Sequence, residues 1–379
     1  MVRRYRWQSG VWAALFLGLM LFIVGGCQTE PESIDVGFVG TLSGRSSDLG
    51  VSVRNGVNIA VDEINSGGGI NGRDIELIVE DDENCAEVGA EALRRLHQQD
   101  VVAVIGHTFS DISQAVLPVL EEKELLLIGP TNTSNELTGK DDNYIRVSQP
   151  NEQETELQAR FAVEEKELME LAVIADQSNQ AYSKDWFQFF VNYYENMDGT
   201  IIERIDFNSE QEPDFAELAQ QVTQVEAEGV LIIAGANDTA MICQQLAILE
   251  ADYPLITSGW AKTPELLQRG GRSVEELYIT HVFDENHPGE EYQSFKETYL
   301  ERYGKEPSFA AAFGYDAMMM LKEGLLAGDT YSTTELKQTL LETEQFQGLQ
   351  EDFNLDEYGD PQREYFLFQV QSGQFKRLN

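Results

Sequence analysis

The residues with the most chemistry to offer are hydroxyls clustered where apolar runs end. The stretch GHTFSDIS (106–113) leaves the run VVAVI (101–105) and enters a helical pattern, QAVLPVLEEK (114–123). It puts Ser110, Asp111 and Ser113 at the head of that helix. A helix start has free backbone N–H groups and about half a positive charge. A carboxylate can dock there beside a serine hydroxyl. The plainer reading is that Ser110 or Asp111 caps the helix, and Asp111 already brings a negative charge to the same end. Similar polar residues follow other apolar runs: residues 41–43 and 131–133 in the first part of the chain, and 176–182, 236–238 and 258–260 in the second.

No catalytic constellation accompanies them. There is no GxSxG or HExxH, and GGGING (67–72) lacks the Lys-Ser/Thr of a phosphate loop and runs into a strand. It reads as a tight turn. The histidines, at 97, 107, 281 and 287, have no metal-ligand spacing. His281 and His287 read as solvated loop residues. Neither a metal nor a cofactor is expected, and an enzyme is the weakest functional class because no nucleophile–base pair is visible.

The elements that must position these residues alternate. Strands are expected at 34–40, 74–81, 101–106 and 125–131, with helices at 52–65, 86–99 and 111–123 between them. The helix at 52–65 shows one apolar face, at 53, 57, 61 and 64. A second series follows: helix 152–166, strand 171–176, helix 184–197, strand 200–207, helix 213–228, strand 229–235, helix 238–250 and strand 253–259. Helices at 292–304 and 308–328 come next, then a β pair, 350–356 with 364–370. Strands with helical crossovers predict parallel, doubly wound sheets in an α/β fold. The Met triplet 318–320 and the aromatics of 184–197 read as core.

In such sheets ligands lie beyond the strand C-termini, so two facing edges would make a cleft. With 379 residues the chain has room for two domains. Its net charge of −40, from 26 Lys plus Arg against 66 Asp plus Glu, argues against a nucleic-acid partner and suits solubility in high salt.

The N-terminus reads as a targeting segment. Arg3, Arg4 and Arg6 precede the apolar run VWAALFLGLMLFIV (11–24), too short for a comfortable span, and then VGGC. This resembles a bacterial lipobox. It predicts a signal peptide over 1–26, lipidation of Cys27, a tether over 27–33 and an extracytoplasmic protein held at the membrane by lipid. Cys85 and Cys243 fall in different halves and read as small buried residues rather than a disulfide.

VGFVGTLSG, NGVNIAVDEINSGGGINGRDIELIVEDDE, VIGHTFSDISQAVLPVLEEKELLLIGPTNTSNELT, DQSNQAYSKDW and FGYDAMMML stand in the order of a known family. The chain resembles, over about 34–370, the type I periplasmic binding proteins of the branched-chain amino acid (Leu/Ile/Val-binding) class, the solute-binding components of ABC importers. The resemblance implies two Rossmann-like lobes joined by a three-crossover hinge, 34–149 with 282–348 and 150–281 with 349–379. It implies a ligand carboxylate on Ser110 and Thr133, a ligand ammonium on the carbonyl of Thr131, and Tyr182 over the ligand. The implied partners are an ABC permease and its ATPase.

The sequence departs from the family at three places. Leu49 stands where a tyrosine covers the ligand, and Phe109 stands where a cysteine would pair Cys85. No acid occupies the position near Gly259 and Trp260 that meets the ammonium. Either Asp238, Asp176 or Asp284 substitutes, or the ligand is not an α-amino acid; Leu49 and Trp260 suit a short or aromatic carboxylic acid. The functions this leaves are delivery of a small carboxylate-bearing ligand to a permease, or sensing on the same fold for a signalling partner.

Overall fold

In the computed structural model, which describes residues 33–328 and 330–378, the strands form two separate sheets. The first holds β1 (Ile34–Gly40), β2 (Ile75–Asp81), β3 (Val104–Ile105), β4 (Leu127–Gly129) and β5 (Tyr144–Arg146), all parallel, in the order β2-β1-β3-β4-β5. The second holds β6 (Glu170–Asp176), β7 (Thr200–Phe207), β8 (Gly229–Ile233), β9 (Leu255–Thr257), β10 (Tyr278–His281), β11 (Phe366–Gln371) and β12 (Gln374–Arg377). Its order is β12-β11-β10-β9-β8-β6-β7, parallel except for β11, which runs against both its neighbours, β10 and β12. The central strands are buried on both faces, as in the run GVLII of β8, which is why they read as continuous apolar stretches.

Helices α1 (Ser47–Ser66), α2 (Ala86–Gln98) and α3 (Ser110–Lys123) connect strands of the first sheet. α4 (Glu152–Arg160) leads into the second sheet, where α5 (Gln180–Asn196), α6 (Phe215–Val222), α7 (Ala236–Ile248) and α8 (Pro264–Gly270) are the connections. α9 (Glu290–Tyr303), α10 (Phe309–Ala327) and α11 (Thr333–Glu342) follow β10. Buried apolar residues from 34–147 and 282–355 form one core, and those from 159–279 and 366–375 form two layers on the second sheet. The chain thus crosses between two α/β lobes three times. Phe353 bridges to Phe346, and both stay in the first core.

The structure corrects several expectations. The segment 350–356 forms only isolated bridges and does not pair with 364–370. Instead β11 pairs with β10 and, through a two-residue turn at Ser372 and Gly373, with β12. Both turn residues have positive φ, which suits the right-handed twist of a hairpin. The first sheet has a fifth strand, and α8 and α11 were not expected. Cys243 is buried; Cys85 is only half-buried, just ahead of α2, and both are free thiols. In α5, Trp186, Phe190 and Tyr194 stack in succession at i, i+4 and i+8, and Met318 and Met320 are buried.

One helix contact shapes the site. α1 crosses α10 so closely that a Cβ on Gly56 would meet the Ala311 carbonyl oxygen at 1.9 Å, and one on Gly314 would meet that of Val53 at 2.3 Å. Backbone meets backbone there, which only glycine allows. Among the described residues no helix is long and apolar enough to cross a membrane. The signal segment and Cys27 lie outside the described residues.

Candidate ligand-binding site

A cavity lies where the C-terminal edges of the two sheets face each other. The first lobe contributes Leu49 from α1, residues 108–110 after β3, Thr131 and Thr133 after β4, and Phe309 and Phe313 from α10. The second contributes Asn179 and Tyr182 after β6, Gly259 and Trp260 after β9, His281 and Val282 at the end of β10, and Glu154 of α4. The space open to the centre of a water molecule is about 40 Å³, room for a few waters or the body of a small ligand.

At one end the start of α3 points in. Its N-cap residue, Phe109, is extended and supplies no side-chain cap. Ser110 is therefore free of the capping role and is buried against the cavity. Thr131 Oγ1 donates to the Thr108 carbonyl at 2.7 Å. Thr108 Oγ1, Thr133 Oγ1 and Gln149 Nε2 are buried without partners. Such orphaned donors are rare in folded proteins because each costs its lost hydration. These three groups, with Ser110, line one cavity, an arrangement that can hold the oxygens of a small anion.

Asp111 has a different task. Its carboxylate crosses to the other lobe and accepts from Gln180 N at 2.7 Å and Ala181 N at 2.6 Å, capping α5. In return, Asn179 Oδ1 accepts from Asp111 N at 3.2 Å. Asn179 does not cap its own helix. Each helix start is thus capped from the opposite lobe, and the acid's charge is spent on the partner helix rather than on the cavity end of its own.

The other walls are apolar and aromatic. Trp260 meets Phe109 edge-on at 6.0 Å and Tyr182 edge-on at 5.4 Å, spanning the cleft. Phe309 and Phe313 lie against the His281 ring, at 4.5 and 6.2 Å. His281 is buried, and burial, with Lys262 and Arg363 adding to it, holds its pKa well below the ordinary value. Its Nδ1 accepts from Phe283 N at 2.9 Å, so the ring proton sits on Nε2. Glu154 is 3% exposed. Its Oε1 accepts from Gly259 N at 2.7 Å, and burial pushes its carboxyl up to about 7. One turn on, Gln158 bonds the Thr257 carbonyl and the Thr280 hydroxyl, pinning α4 to β9 and β10.

Leu49, Phe109, Ser110, Thr131, Thr133, Tyr182 and Trp260 are brought together around this cavity. Asp238 and Asp284 are not. Asp238 lines a neighbouring polar cavity and pairs with Arg45 across the cleft. Asp284 serves a local turn, accepting from Asn286 N at 2.8 Å, while its own N–H donates to Gln350. Asp176 is saturated by Ser178 and Ser209. His107 is buried beside Asp82, 2.8 Å away, rather than on the cavity.

Glu154, His281, Gln149 and the α10 aromatics escaped the sequence reading. Two had signals: Glu154 is in phase with Gln158, Ala159 and Ala162 on the buried helix face, and His281 ends the run LYITH as strand-end polar residues do elsewhere. His281 is therefore a cavity residue, not a solvated loop residue.

Known proteins resemble the chain in sequence and in structure. It is 27% identical over 256 residues to the Leu/Ile/Val-binding protein BraC3 of Rhizobium johnstonii, covering 66% of this chain and 68% of that one. Its structure is similar to the leucine binding protein LivK from Thermotoga maritima, with a TM-score of 0.83, 25% identity, and 91% of this chain and 98% of that chain covered. It is also similar to a solute binding protein of an ABC transporter from R. palustris in complex with benzoate, with a TM-score of 0.83, 20% identity and coverage of 91% and 95%. The model of the periplasmic binding protein family matches residues 33–374, and this chain belongs to that family.

Proposed function

We propose that the chain is an extracytoplasmic solute receptor, tethered to the membrane through lipidated Cys27, that encloses a small carboxylate-bearing ligand of the branched-chain amino acid type and hands it to an ABC permease and its ATPase. The lobes in this reading are 34–149 with 282–348, and 150–281 with 349–379, the stretch 349–355 remaining packed on the first. The ligand's carboxylate meets Ser110, Thr133 and the head of α3; the Thr131 carbonyl faces its ammonium; Tyr182, Trp260, Phe109 and Leu49 enclose its apolar body. The observation that carries the reading is the set of buried donors without partners at the start of a helix whose cap has been moved elsewhere. The Leu/Ile/Val-binding and leucine binding relatives supply the ligand class.

A thermal-shift screen of amino acids and organic acids tests it. A ligand at 100 times its Kd stabilises by about 2.7 kcal/mol. Ser110→Ala combined with Thr133→Ala should erase that shift and leave the ligand-free melting temperature in place. Full affinity in the double variant would put the carboxylate elsewhere. A second reading, an aromatic or short-chain carboxylic acid as ligand, is favoured by the ring-lined wall and by the benzoate held by the R. palustris protein; benzoate belongs in the same screen.

A further inference from the structure

The cavity has one formal charge, and it is negative. Among its lining residues there is no lysine or arginine, and Glu154 is the one carboxylate. The titratable groups that face Glu154 are Tyr182 from α5, His281 from β10 and Tyr365 ahead of β11. None is a cation. Burial, to which Glu154 adds, keeps both phenols protonated, and His281 is held neutral. The two cations that act on His281 are committed elsewhere: Lys262 to Glu285 at 2.6 Å and Arg363 to Asp316 at 3.0 Å. Glu154 therefore has the Gly259 N–H and the neutral Trp186 and Thr280 side chains beside it, and no counter-ion.

A buried carboxylate without a counter-ion is costly. A ligand anchored by its own carboxylate at α3 would add a second anion to the same closed space, and like charges in one site oppose each other's ionisation. A ligand that also carries an ammonium removes both penalties. We infer that Glu154 is the counter-charge for a cationic group on the ligand, so that the site selects a zwitterion over the amine-free acid of the same shape, and that closing on the zwitterion drives the Glu154 carboxyl proton out to solvent. This rests on the cavity being the ligand site. The partly protonated state of the empty site near neutral pH supplies the proton.

The linkage has a definite sign. Binding that requires ionised Glu154 tightens as pH rises towards 7, by up to about tenfold per unit, and levels off above. A monoanion that prefers protonated Glu154 behaves in the opposite way, weakening as pH rises through 7. Calorimetric titration of the purified protein with L-leucine and with 4-methylpentanoate, at pH 6, 7 and 8 in two buffers of different ionisation heat, separates them. The expected result is leucine binding with proton release and about 100-fold more tightly than 4-methylpentanoate. Glu154→Gln should weaken leucine by at least about 30-fold, leave 4-methylpentanoate unchanged or tighter, and abolish the pH dependence.

Equal affinity of the parent for the two probes, proton uptake with leucine, or an undiminished lead for leucine in Glu154→Gln would overturn the inference while leaving the carboxylate site standing. The proton count is read on the parent, so it decides even should the variant fold poorly. If leucine, 4-methylpentanoate and benzoate all fail to bind between pH 6 and 8, the cavity is not a carboxylate site and both readings fall together.

Discussion

At the residue scale, Glu154 makes the empty protein's stability depend on pH in a way that can be isolated. Its folded pKa, about 7, lies above the ordinary 4.5. The folded state therefore holds a proton that the unfolded chain gives up. The group's full contribution is present below pH 4.5 and is lost as pH rises through 7, by up to about 3 kcal/mol. Glu154→Gln has no such proton to lose. Denaturant melts of the parent and the variant should agree most closely at pH 5, with the variant gaining on the parent up to pH 8; a constant gap would mean that Glu154 is ionised and paired when folded. Taking the difference cancels the rest of the molecule's titration. The same residue shows where sequence reading stops. Hydroxyls at strand ends were findable because topology sends every strand end to one edge, so Ser110, Thr131 and Thr133 could be named in advance. The acid could not be found by nearness in sequence to 259–260. Asp238, Asp176 and Asp284 stand near strand ends too, but loops and Arg45 use their oxygens, whereas Glu154 reaches Gly259 from a helix 105 residues earlier in the chain.

At the element scale, the exchanged caps of α3 and α5 exist only while the lobes face each other. An Ncap interaction is worth about 1 kcal/mol, and Asp111 serves two amides at once. Asp111→Ala should therefore weaken ligand binding by about tenfold without lowering the stability of either lobe, and the liganded protein should show a larger radius of gyration in small-angle scattering. Unchanged affinity would mean that closure does not depend on these caps. The α1–α10 crossing carries the opposite signature. Gly56→Val would drive a side chain into the Ala311 carbonyl, separating the helices that present Leu49, Phe309 and Phe313. It should cost roughly 3 kcal/mol of folding stability and lower affinity with it; a parent-like melting temperature would show that the helices can part cheaply. The strand–helix alternation of both lobes was legible from periodicity. The register of the tail was not. An apolar run such as EYFLFQV does not say which of two neighbouring segments it pairs with; the Ser372–Gly373 turn, which joins it to β12, decides that.

At the scale of the whole molecule, 66 acids against 26 bases leave a net charge of −40. Most of these acids sit on the surface, where they repel across distances comparable to the Debye length, about 10 Å at 0.1 M salt and 3 Å at 1 M. That self-repulsion favours the expanded chain. Working against it are a few cross-lobe attractions, Arg45 with Asp238 and Lys305 with Glu265, the latter at 3.2 Å. Salt weakens both kinds of interaction, but the uncompensated acids far outnumber the cross-lobe pairs, and exposed pairs are worth under about 1 kcal/mol each. Screening should therefore stabilise. We expect the melting temperature of the ligand-free protein to rise by roughly 5 °C between 0.1 and 1 M KCl, with ligand affinity changing far less, because the cavity's own charge, Glu154, is buried out of reach of the salt. A melting temperature that falls with KCl would mean that the surface acids are paired well enough for the attractive contacts to govern stability.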